Sequence, residues 1–136
     1  MPSIRYILES ALYVIDLDRS EQFYCSVLGL RTKMRDERMR ALEIAAGQIL
    51  LLFEIGKSKA GDDTPRGRIP GHDGSGTLHL ALAIAESDVE PWRRHLADHK
   101  VEIVSEVRPE QGGCSLYFRD PDGHLLELAT PGIWNV

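Results

Sequence analysis

"FRDPDGHLLELAT", residues 118–130, is the stretch from which the rest of the chain is read. Asp120-Pro121-Asp122-Gly123 has the composition of a tight turn. The run after it, Leu125-Leu126-Glu127-Leu128, reads as a strand spanning about 124–129, with a partner strand at about 114–119 on the other side of the turn. Alternation puts Leu126 and Leu128 on one side of that strand and Leu125, Glu127 and Ala129 on the other. A carboxylate among leucines is costly unless something pairs with it. Glu127 therefore asks for a partner on its own face.

Working outward, residues 77–84 (TLHLALAI) read as a strand and about 88–98 as a helix carrying Val89, Trp92 and Leu96, with a further strand at about 101–107. The first part of the chain has the same order. A strand at 7–15 (ILESALYVI) is followed by a helix at about 18–28, capped by Asp16 or Asp18, with Phe23, Val27 and Leu28 on one face. Gly29 ends it. Strands at about 31–36, 39–45 and 49–54 complete the half. Between the halves, residues 55–76 are rich in Gly, Pro and charge and read as a linker or long loop. The expected organisation is one domain over 1–136 made of a first βαβββ module (7–54), a linker (55–76) and a second βαβββ module (77–130). Overlaying the halves sets Glu9 on His79, Leu30 on Val101 with one residue of slippage, and Gly47-Gln48-Ile49-Leu50-Leu51 on Gly123-His124-Leu125-Leu126-Glu127.

Strand parity gathers the polar residues. In 77–84, Leu78, Leu80, Leu82 and Ile84 form a bulky face for a helix, while His79, Ala81 and Ala83 form the other. Alanines beside a histidine do not fill space, so that face reads as a cavity floor. In the first strand, Glu9, Ala11 and Tyr13 oppose Leu8, Leu12 and Val14. Glu9, His79 and Glu127 thus occupy cavity-facing positions on three strands and can meet if the sheets curl into one cup. Two carboxylates and an imidazole suit a divalent cation, which offsets the desolvation of both acids and leaves open positions for substrate. Such a set suits Mn, Ni, Co, Zn or Mg; iron oxygenase sites take two histidines and one carboxylate, so Fe is less expected. The bland alternative for each residue is a hydrogen-bonded core histidine and exposed glutamates. Glu54 is the nearest acid in the fourth strand but has the wrong parity. His72, His95, His99 and His124 lack partners at useful spacing and read as surface groups.

Bulk properties narrow the class of function. A chain of 136 residues suffices for one domain with a real core. Its net charge of -5 and lack of a basic stripe argue against a nucleic-acid partner. No apolar run approaches membrane-spanning length, and MPSIRYILES lacks a leader pattern. Cys25 and Cys114 form no CxxC, so a disulfide scaffold or thiolate zinc site is not expected and a reducing, cytoplasmic setting is.

The stretches "ALYVIDLDRSEQFYCSVLGL" (11–30), "GTLHLALAI" (76–84) and, most specifically, "CSLYFRDPDGHLLELATPG" (114–132) resemble the vicinal oxygen chelate superfamily of glyoxalase I, bleomycin-resistance proteins and extradiol dioxygenases. The resemblance covers nearly the whole chain. It implies an α+β fold in which two βαβββ modules form an open cup-shaped barrel that binds a metal. By position, His79 and Glu127 fall on two metal-ligand positions, and Glu9 on the first-strand position where many members have His or Gln. The fourth position, Glu or Gln in glyoxalase I, falls on Leu51, so a three-ligand set is implied, as in the fosfomycin-resistance thiol transferases. Ser115 and Tyr117 match hydroxyls that contact substrate in that branch. Arg119 shares the parity of Tyr117 and is a candidate anion contact, but no lysine-rich or serine-rich loop suited to a phosphonate is present.

Three functions follow as expectations. The first is a metal-dependent lyase, isomerase or transferase, in which the ion polarises a small substrate bearing neighbouring oxygens, Glu9 or Glu127 moves the proton, and Tyr13 and Tyr117 position the substrate. The second is a drug-sequestering resistance protein without chemistry, with Tyr13, Phe53, Tyr117 and Trp134 lining the cup. The third, an extradiol-type dioxygenase, is disfavoured by Glu9. The resemblance also implies a homodimer, with modules pairing within or between chains.

Overall fold

A computed structural model describes all residues, 1–136. The chain divides into two compact units, Met1–Ser75 and Gly76–Val136.

In the first unit, β1 (Glu9–Val14) leads into α1 (Leu17–Leu28), then β2 (Arg31–Arg35), β3 (Met39–Ala45) and β4 (Gln48–Glu54). The sheet order is β1-β4-β3-β2, with β1 parallel to β4 and the other pairs antiparallel. Asp16 caps α1 by accepting the Arg19 N–H at 3.0 Å. Gly29 stops the helix in the left-handed conformation, with φ 70°. Tyr24, rather than Phe23, is the aromatic side chain that α1 buries completely. It shares the helix-side core with Leu12, Val14, Leu42, Leu50 and Leu52, each at most 3% exposed. Burying one such side chain is worth roughly 1.5–3 kcal/mol.

The stretch read as a linker is built into this unit. Residues 55–75 belong to it, and β5 (Asp62–Thr64) and β6 (Gly67–Ile69) form a short hairpin. Strands of three residues rich in Asp, Thr and Gly show no alternation for a sequence reading to detect. Gly74 lies flat against Tyr13: a Cβ there would sit 2.4 Å from the ring.

The second unit repeats the order. It contains β7 (His79–Ala83), a short turn of helix and α2 (Val89–Asp98), β8 (Ser105–Val107), β9 (Ser115–Arg119) and β10 (Leu125–Ala129). The sheet order is β7-β10-β9-β8, with β7 parallel to β10. Leu96 of α2 and Leu116, Phe118, Leu126 and Leu128 of the sheet are buried. The strand expected at 101–107 is shorter, because Val101 gives its N–H to the Leu96 carbonyl at the helix end.

The parallel pairs of the two units have one register. Glu9 stands opposite Ile49 and Ala11 opposite Leu51. His79 stands opposite Leu125 and Ala81 opposite Glu127. Glu9 is therefore the counterpart of His79, and Leu51 of Glu127.

Candidate metal centre and ligand cavity

The parallel register sets His79, at the start of β7, diagonally across from Glu127 in the middle of β10. Both face away from the helix. The Nδ1–H of His79 donates to the Leu125 carbonyl at 2.9 Å. That bond directs Nε2 at Oε2 of Glu127, 3.2 Å away. The other oxygen, Oε1, accepts from Ser115 Oγ at 2.5 Å. Glu127 is only 5% exposed, whereas the His79 side chain is 49% exposed. Tyr117 stands opposite Glu127 across the β9–β10 pair and stacks on His79, with centroids 6.3 Å apart. Arg119, at the strand end, gives Nη1–H to the Gly123 carbonyl at 3.0 Å.

This arrangement has a chemical consequence. With Nδ1 carrying the proton, the Nε2 lone pair of a neutral ring and a carboxylate oxygen face each other as two acceptors. A proton shared between them, or a metal ion, makes the contact favourable. A ligating histidine ordinarily donates its other N–H to a carbonyl, as His79 does to Leu125. His79 and Glu127 thus fit as two ligands of a metal ion.

Glu9 and Tyr13 belong to the first unit. Glu9 opens β1 as an exposed side chain at the edge of a cavity of about 740 Å³. The cavity floor is the face of the sheet opposite α1, where Met39, Ala41 and Phe53 cluster with Ala11, Ile49 and Leu51. Tyr13 lies on this floor and bonds His72 Nδ1 at 2.8 Å. Burial first, and the nearby Asp73 charge second, push the Tyr13 hydroxyl above its usual range. Glu54 lies opposite Val14 and lines a separate hollow with Asp18, Glu37 and Arg40. The structure gathers no group of three His, Cys, Asp or Glu side chains placed to hold a metal ion; Glu9 lies in the first unit, and His79 and Glu127 lie in the second.

Two histidines read as surface groups have structural partners. His124 is 1% exposed, and its Nδ1 accepts the Leu78 N–H at 2.9 Å, tying the hairpin turn to the start of β7. Asp120 organises that turn by accepting from the N–H groups of Asp122 and His124, each at 2.9 Å. His72 lines the cavity together with Arg38 and Asp62, which pair at 3.1 Å. No periodicity in 55–76 marks His72; only the flanking Gly71 and Gly74 hint at close packing there.

Residues 4–128 match the family model described as Glyoxalase/Bleomycin resistance protein/Dioxygenase superfamily. The chain is 33% identical over 118 residues to the Metallothiol transferase FosB of Staphylococcus saprophyticus, covering 86% of this chain and 71% of that protein. It is 33% identical over 117 residues to the Glutathione transferase FosA of Serratia marcescens, covering 86% and 74%. The crystal structure of a lactoylglutathione lyase from Agrobacterium tumefaciens superposes with a TM-score of 0.90 at 28% identity, covering 99% of this chain and 100% of that one. With its doubled βαβββ order and these matches, the chain belongs to the Glyoxalase/Bleomycin resistance protein/Dioxygenase superfamily, the vicinal oxygen chelate proteins.

Proposed function

We propose that this protein is a metal-dependent transferase or lyase acting on a small molecule, with Glu9, His79 and Glu127 holding a divalent ion. The observation that carries the reading is the His79–Glu127 contact: a tautomer set by Leu125 aims a nitrogen lone pair at a buried carboxylate. The names of the relatives, two thiol transferases and a lyase, support chemistry of this kind. A bound Mn, Ni, Co, Zn or Mg ion would supply Lewis acidity toward a substrate with neighbouring oxygens.

The chain's own residues do the rest. Ser115 occupies one oxygen of Glu127 and leaves Oε2 for the cation. Tyr117 covers the His79 ring and offers its hydroxyl to substrate. Tyr13 presents its hydroxyl on the cavity floor, bonded to His72. Glu9, exposed and at the position equivalent to His79, completes the ligand set or takes a proton from substrate. With Leu51 at the position equivalent to Glu127, the set ends at three.

The test is metal analysis of chelator-stripped protein reloaded with each ion. About one ion per chain is expected in the parent, with loss in His79→Ala and Glu127→Gln variants. Stoichiometric retention of the ion in both variants would overturn the assignment. Assays of thiol transfer and of lactoylglutathione formation on the reloaded protein then separate transferase from lyase. A second reading, sequestration without turnover, draws on the size and apolar floor of the first unit's cavity. Tight ligand binding with no product from any metal form would establish it.

A further inference from the structure

We infer that the cavity of the first unit selects against negative charge and takes an amphipathic aromatic molecule that is neutral or cationic. The inference deepens the functional reading above by naming the class of substrate, and its test requires no metal.

Size comes first. About 740 Å³ is room for a drug-sized body, far more than a three-carbon acid or phosphonate fills. Shape and polarity come next. The floor is apolar, and one corner is aromatic. Tyr13 and Phe53 lie near-parallel, with ring centroids 5.9 Å apart, and Phe53 meets His72 edge-on at 4.5 Å. A flat apolar ligand gains stacking and area there. Tyr13 and His72 share a hydrogen bond of 2.8 Å that holds the imidazole against the cavity, where it adds a polar edge to the aromatic corner.

Charge decides the rest. Glu9, Asp36 and Asp62 line the cavity against a single guanidinium, Arg38. That guanidinium is already paired with Asp62 at 3.1 Å. Asp36 is held in place by the N–H groups of Arg38 and Met39, at 2.8 and 2.9 Å. Even with Glu9 given over to a metal, the two aspartates outweigh the arginine. An incoming sulfonate, phosphonate or carboxylate finds no unpaired cation and meets like charge. A cationic head finds carboxylates and the faces of aromatic rings.

A matched pair of fluorescent probes tests this on the full chain: neutral N-phenyl-1-naphthylamine and its anionic analogue 8-anilino-1-naphthalenesulfonate, at low salt. The neutral probe should bind at least tenfold more tightly. An Asp36→Asn/Asp62→Asn variant should narrow the ratio at least threefold. Ile69→Lys, at an exposed cavity-lining position on β6, should strengthen binding of the sulfonate severalfold. Equal or tighter binding of the sulfonate by the parent protein overturns the inference, as does failure of both probes to bind or a ratio that neither variant moves. Metal content measured on the same samples keeps the two readings apart, because loss of metal binding with the probe preference intact overturns only the metal assignment.

Discussion

At the scale of single residues, the chemistry rests on how two side chains are held. His79 is oriented by a backbone carbonyl and Glu127 by the Ser115 hydroxyl. Ser115→Ala removes a hydrogen bond to a buried carboxylate and should cost about 1–3 kcal/mol in urea unfolding. The same variant should weaken metal binding by about tenfold or more, since outer partners orient the ligand. An unchanged metal affinity would show that Ser115 has no part in positioning Glu127. Leu51 gives the complementary test. It has the position of Glu127 in the first unit's register, so Leu51→Glu supplies a fourth ligand, a third carboxylate. That variant should hold its ion longer than the parent under chelator challenge. The parity of Glu9, His79 and Glu127 was legible in the sequence, because alternation along a strand is a local property. The Ser115–Glu127 bond was not, since it depends on which residues stand near each other across β9 and β10.

At the scale of elements, an ion cluster centred on the nearly buried Glu21 and Arg40 joins α1 to its sheet. Glu21 accepts from Thr32 and Arg35 at 2.6 Å and from Arg40 at 2.8 Å, while Arg40 also reaches Asp18. Burial alone would raise the Glu21 pKa, but the hydrogen bonds from Thr32 and Arg40 and the charges of Arg35 and Arg40 outweigh it and lower it. Glu21→Ala leaves the nearly buried Arg40 short of a partner and should cost about 3 kcal/mol by chemical denaturation. In the second unit Arg93 pulls Glu106 down to about 2 from 4.5 through a hydrogen bond. A carboxylate with a lowered folded pKa stabilises above its unfolded pKa and loses that contribution as pH falls through the folded one. Stability should therefore decline between about pH 4.5 and 2, and Glu106→Gln should flatten the decline by no more than about 1 kcal/mol, because the pair is solvent-screened. A pH curve unchanged in Glu106→Gln would remove this pair from the account. The helices and most strands were readable from the 3.6 and 2 residue periods and from Asp16 and Gly29. The hairpin of β5 and β6 was not, since its residues are held by tertiary neighbours rather than by pattern.

At the scale of the whole molecule, the proposed metal site takes ligands from both modules, and a homodimer is the expectation to be tested. Light scattering should give about twice 15.2 kDa, and a monomer at micromolar concentration would count against it. Mixing Glu9→Gln chains with His79→Ala chains tells how modules pair. Metal binding regained in the mixture means that each site draws on two chains; none regained means that it draws on one. The sequence alone determined the doubled βαβββ order, the equivalence of Glu9 with His79 and of Leu51 with Glu127, and the faces these residues share, because strand period, turn glycines and helix caps act over a few residues. Only the tertiary structure decided that His124 is a buried latch, that the charged stretch after β4 belongs to the first unit and brings His72 to a cavity, and that Asp36, Arg38 and Asp62 set that cavity's charge. Those facts depend on packing between segments far apart in the chain, which no local pattern encodes.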